Sequence, residues 1–170
     1  SLRSRGLLLL DLIAAPSVAA VCERFQGTDL SAFEAFTIAA IEPGRPVSLV
    51  EWNGREKTVI PRGESYLPLT SSSFDAKGVR QTRRDEYLHL LNPGALNPDA
   101  PVDANLLFAF HRSHGAAPSA YSPCMHRADA ETVSFSRIRV TGSEVDFYYT
   151  PAAPCKGAPG ENRKLARRLQ

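Results

Sequence analysis

Between Phe36 and Leu69 the chain carries four short apolar segments, 36–41, 47–52, 57–60 and 66–69, each closed by a turn sequence. The separators are Pro43-Gly44, Asn53-Gly54 and Pro61-Arg62-Gly63. Proline presets one turn dihedral and glycine accepts the positive φ that other residues resist, so these positions punctuate strands. Asn53-Gly54 is the strongest signal, since a two-residue hairpin turn needs positive φ at both central positions. The segment therefore predicts an antiparallel meander with Trp52 at a strand end.

Helices are expected on both sides of it. Residues 7–14 read as a buried helix, apolar on most faces, with Asp11 as its one charge. Ser17 can cap a second helix in which Val18, Val21, Cys22 and Phe25 form a stripe at helical spacing, and Gly27 ends it. Cys22 lies on that stripe as a small core hydrophobe. Beyond the meander, Tyr66, Leu67 and Leu69 predict a strand that enters a polar corner at Ser71, Ser72, Ser73 and Asp75. One of these side chains should cap a helix over 75–91. Its first half, with Arg80, Arg83, Arg84, Asp85 and Glu86, reads as solvated; Tyr87, Leu88, Leu90 and Leu91 are available for packing. The spacing alone gives the serines a turning and capping role.

Residues 92–101 read as a proline-rich loop. Asp103 caps a third helix that packs through Leu106, Leu107 and Phe110 and ends at Gly115. Residues 116–127 read as irregular. A hairpin over 132–141 and 144–149 turns at Gly142-Ser143, and a change of apolar phase between Val133, Phe135 and Ile138, Val140 suggests a bulge near Ser136 and Arg137. Residues 156–170 form a polar, basic tail, either solvated or a short terminal helix.

With 170 residues, 43% apolar and 22% charged, the chain suits a single soluble domain over 1–170. A net charge of +2 indicates neither a nucleic-acid nor a membrane surface. Three cysteines, Cys22, Cys124 and Cys155, cannot all pair, which points to a reduced, cytoplasmic chain. Asp11 interrupts the N-terminal apolar run that would otherwise resemble a secretion signal, and no stretch is long enough to span a bilayer.

His111 and His114 share a helix face, and Cys124 and His126 are further donors within reach along the chain. Their spacing matches no recognised metal motif, and histidines near a helix C-terminus have an electrostatic explanation, so no metal and no cofactor is expected. Arg163, Lys164, Arg167 and Arg168 lack interleaved aromatics and read as a solvated tail. Ser1 can be weighed as an N-terminal nucleophile with its own α-amine as base. Gly-x-Ser-x-Gly, phosphate-loop, dinucleotide and paired-histidine zinc motifs are absent from the sequence.

Three stretches carry a family resemblance. SRGLLLLDLIAA at 4–15, LPLTSSSFD at 67–75, and SPCMHRADAETVSFSRI at 122–138 with Pro154-Cys155 together resemble the later part of NRDE-family proteins of the transport-and-Golgi-organisation type. The third also resembles the C-terminal part of cysteine-type acyltransferases and amidases with the N-terminal-nucleophile (Ntn) hydrolase fold.

The resemblance implies an α+β protein, an Ntn-hydrolase-like αββα sandwich of two antiparallel sheets with flanking helices, carried by residues 1–155. It also implies a parent that cleaves or transfers at the amide bond of a small acyl-amide substrate. Such proteins open on a cysteine-led strand and an Asn-Arg-Asp-Glu signature. This sequence has neither, so the sandwich is expected to be incomplete at its N-terminus and the chain itself inactive. Where the family has an oxyanion-type asparagine this chain has Ser71, whose hydroxyl can donate one such bond. The alternative is a non-enzymatic domain that binds a partner or ligand, including a second copy through an exposed sheet.

Overall fold

The computed structural model describes residues 2–91 and 103–167; the expected loop at 92–101, together with Ser1 and Arg168, lies outside them. The protein is mixed α+β, with four helices and three small antiparallel sheets among the described residues. The chain divides into two compact units, Ser1–Leu67 and Pro68–Gln170.

In the first unit, Ser4 accepts the Gly6 N–H at 3.2 Å and opens helix α1 (Arg5–Ile13). Ser17 accepts the Ala20 N–H at 3.2 Å and opens α2 (Val18–Gly27), as its sequence predicts. Leu8, Leu12 and Phe25 from these helices bury against Leu30, Phe33, Val50 and Trp52, with Val21 and Cys22 packed on the cluster. The expectation of a buried α1 needs correction. Only the i, i+4 pair Leu8 and Leu12 is buried, whereas Leu10 and Ile13 are 67% and 82% exposed.

The meander is β1 (Phe36–Ala40), β2 (Ser48–Trp52) and β3 (Lys57–Ile60), antiparallel in that order. Central β2 is the most buried strand, and Trp52 ends it, donating from Nε1 to the Phe33 carbonyl at 3.0 Å. The β2–β3 connection is a four-residue loop rather than a two-residue turn. Trp52 pairs with Lys57, the Asn53 carboxamide oxygen accepts the Arg55 and Glu56 N–H groups at 2.8 Å, and Gly54 takes φ 93°.

A fourth strand over 66–69 does not form. The Gly63 N–H donates to the Val47 carbonyl at 2.7 Å, and the Val47 N–H donates to the Glu64 carboxylate at 2.6 Å. These bonds close the turn after β3 onto the start of β2, and the chain leaves through a 3-10 turn at Glu64–Tyr66 toward Pro68, which has no N–H to donate to a ladder.

In the second unit, Asp75 caps α3 (Ala76–Leu91), its carboxylate accepting the Gly78 N–H at 2.9 Å. Asp103 likewise caps α4 (Ala104–Arg112) through the Asn105 N–H. Tyr87 on α3 and Phe110 on α4 meet edge to face at 5.4 Å. A strand pair, β4 (His126–Arg127) and β5 (Ala130–Glu131), precedes the larger sheet of β6 (Phe135–Val140), β7 (Glu144–Thr150) and β8 (Glu161–Ala166).

Three expectations change here. The β6–β7 register runs unbroken from Phe135 opposite Thr150 to Val140 opposite Val145, so there is no bulge. The apolar phase change has another cause: Phe135 faces α4 and packs on Phe108 and His111, while Ile138 and Val140 belong to the opposite face. The polar tail holds a strand, β8, because β7 offers it a backbone ladder and Asp146 and Glu144 meet Lys164 at 3.7 and 3.6 Å. The first half of α3 is not wholly solvated either, since Val79 is fully buried and Arg83 half-buried.

The β6–β7–β8 sheet has two unlike faces. Arg139, Asp146 and Lys164 form an ion network on one. Alternation puts Ile138, Val140, Phe147, Tyr149 and Leu165 on the other, and all five are exposed. No helix among the described residues is long and apolar enough to cross a membrane.

Candidate functional site

The second unit brings two remote stretches to one place. Ser71, Ser72 and Ser73 line a hollow of about 490 Å³ together with Arg83, Met125 and Arg127. The Arg83 Nη1 donates to the Thr70 hydroxyl at 2.6 Å and its Nε to the Ser122 carbonyl at 3.1 Å. That guanidinium clips the corner to the segment before β4. Tyr121 adds an edge-to-face contact with Phe74 at 5.9 Å, and Arg127 stacks on the Phe74 ring. Ser72 accepts the Phe74 N–H at 3.1 Å and so supports the turn. Ser71 is exposed, and its hydroxyl makes no hydrogen bond among the described residues.

Residues 113–126 fold around the buried Ser122, whose hydroxyl lies 3.0 Å from the His114 carbonyl and accepts the Ser119 N–H at 3.0 Å. The Cys124 N–H donates to the Ser113 carbonyl and the His126 N–H to the Ser119 carbonyl. These bonds satisfy an otherwise irregular backbone and return Cys124 and His126 to the end of α4, where His114 waits.

The result is a thiol–imidazole cluster. One donor atom each from His114, Cys124, His126 and Cys155 lies within 4.8 Å of all the others. His126 Nε2 is 3.7 Å from the Cys124 sulfur and 3.4 Å from the Cys155 sulfur. The His114 and His126 rings meet edge to face at 5.0 Å, and His114 Nε2 is buried without a hydrogen-bond partner among the described residues. On its other side His126 Nδ1 faces the Glu131 carboxylate at 3.4 Å, and Glu131 pairs with Lys156 at 3.0 Å. The Lys156 ammonium, and then His126, hold the Glu131 carboxyl below its ordinary range. Burial pushes the Cys124 thiol up, against the opposing pull of the Cys155 N–H.

Of the four donors weighed from sequence, His114, Cys124 and His126 come together and His111 does not. Its ring lies between Phe110 and Phe135, at 5.3 and 5.5 Å. Cys155, in a 3-10 turn at Pro154–Lys156, takes the fourth place. Spacing could not find it, because the two hairpins that return Cys155 to His126 are long-range features; the Pro154-Cys155 pair in the resemblance was the available signal.

The chain matches no family model, no curated protein and no solved structure.

Proposed function

We propose that the chain is the C-terminal portion of an NRDE-type, Ntn-hydrolase-like protein with an αββα architecture. Its parent acts at an amide bond by hydrolysis or acyl transfer, and the hollow beside Ser71 receives the acyl-amide. One observation carries this reading. The stretches that resemble the family, 67–75 and 122–138, are remote in sequence yet line the same hollow through Ser71, Ser72, Ser73, Met125 and Arg127. The volume lies within the range of small-molecule sites. Ser71 presents a free hydroxyl to it, the group suited to donating one bond to a developing oxyanion.

On this reading the chain alone does not turn over substrate. An Ntn nucleophile uses its own α-amine as base. Cys22 lies within α2, Cys124 before β4 and Cys155 in a 3-10 turn, so none of them has that amine. Burial further disfavours the Cys124 thiolate. The test is an assay of the purified chain on N-acyl amides and acyl-homoserine lactones. No turnover is expected. Turnover that survives Ser1→Ala would contradict an inactive chain, and turnover abolished by it would contradict it equally by assigning the nucleophile to Ser1.

A second reading, a non-enzymatic domain that pairs with another copy, is favoured by the exposed apolar face of the β6–β7–β8 sheet.

A further inference from the structure

We propose that His114, Cys124, His126 and Cys155 form a closed, four-ligand site for a zinc-class divalent cation, replacing the expectation from sequence that the chain binds no metal. The inference stands on the cluster's geometry and is independent of any activity at the Ser71 hollow.

Two thiolates and two imidazoles are the donor set of structural zinc sites, with metal–sulfur bonds of about 2.3 Å and metal–nitrogen bonds of about 2.0–2.1 Å. A tetrahedron with those arms has edges of about 3.3–3.8 Å. The two sulfur-to-His126 distances, 3.7 and 3.4 Å, already match such edges. The full donor set, within 4.8 Å, needs to contract by about 1 Å to close.

His114 supplies a second, independent observation. Its Nε2 is buried with no hydrogen-bond partner among the described residues, and a buried polar nitrogen without one is costly. A cation held by Nε2 would remove that cost. Glu131 completes the arrangement: its carboxylate facing Nδ1 turns His126 so that Nε2 points at the sulfurs, the outer-shell role that carboxylates take behind metal-bound histidines. Lys156 holds Glu131 from beside Cys155.

The chemistry balances simply. A divalent cation displaces one proton from each thiol, forming two metal–sulfur bonds and releasing two protons, while the imidazoles bind neutral; the site is then electrically neutral. With four protein ligands no position is open for water, so the ion's role is to staple the end of α4, β4 and the 3-10 turn together.

The test is titration of the chelator-treated protein with Co2+ and Zn2+, followed by visible absorption and native mass spectrometry. One equivalent should bind, with thiolate-to-cobalt charge-transfer bands and tetrahedral d–d bands that zinc abolishes. Glu131→Gln should weaken affinity about 10–100-fold, and His114→Ala or Cys155→Ser by more than that. Cys22→Ser and His111→Ala, outside the cluster, should leave affinity unchanged. Absence of a thiolate–cobalt spectrum in the unaltered protein would overturn the proposal without recourse to any variant. So would an affinity indifferent to both His114→Ala and Cys155→Ser in folded protein.

Discussion

Tyr121 Oη lies 3.3 Å from Asp75 Oδ2, tying the cap of α3 to the segment that leads into β4. The other oxygen of the same carboxylate accepts the Gly78 N–H. Asp75→Ala therefore removes an N-cap and a tertiary hydrogen bond together, and should cost about 1–3 kcal/mol. Tyr121→Phe should cost about 1 kcal/mol, and Ser73→Ala should stay within about 0.5 kcal/mol. Urea unfolding of the three variants gives the ranking.

Gly63 and Gly27 should respond to alanine with opposite signs. A Cβ on Gly63 would run into the Leu49 side chain, which is fully buried on β2, whereas one on Gly27 would meet open space at the end of α2. Gly63→Ala should destabilise by about 1–3 kcal/mol through overpacking. Gly27→Ala should be neutral or stabilising by up to about 1 kcal/mol. Thermal melts under identical conditions distinguish the two.

Asp146 sets part of the acid limit of stability. Its carboxylate is buried on β7 and accepts from Arg139 Nε at 2.8 Å, which holds its carboxyl below the ordinary value of 3.8, with Lys164 adding to the effect. A carboxyl whose folded pKa is depressed stabilises the fold above the unfolded value and loses that contribution as pH falls through the folded one. Asp146→Asn should lower stability at neutral pH. It should also flatten the decline in stability from pH 4 downward in a series of urea midpoints.

If the exposed face of β6–β7–β8 pairs with a second copy, charge placed on it should disrupt the pairing. Ile138→Lys with Leu165→Glu puts two charges among Val140, Phe147 and Tyr149, all open to solvent. Light scattering should then show a dimer for the unaltered chain and a monomer for the double variant. A monodisperse monomer for the unaltered chain would remove the pairing.

What could be read from the residues followed from local physics. Ser17 and Asp103 are legible as helix caps, and Asp75 as one of four candidates with Ser71, Ser72 and Ser73, because capping is settled within three or four residues of the cap. The meander followed from its turn sequences for the same reason. The 66–69 segment has strand composition, yet Tyr66 belongs to a 3-10 turn and Pro68 has no N–H to offer a ladder. Long-range competition accounts for the rest. Residues 161–166 have tail composition and form a strand because β7 presents an open edge to them. Helix periodicity places His111 and His114 on one face of a helix ending at Gly115, but α4 ends at Arg112 with Ser113 extended, so His114 lies beyond the helix; Phe135 packs on His111, and only the fold brings Cys155 to His126.

On the proposed function, the corner at Ser71 and the strand at Arg127 form one acyl-amide site. Its most direct test is a backbone-amide chemical-shift map of the isotopically labelled chain titrated with a short N-acyl amide. Saturable shifts at Ser71, Ser72, Ser73, Met125 and Arg127 are predicted, lost in Arg127→Ala. Shifts absent from those residues, or confined to the β6–β7–β8 face, would contradict it.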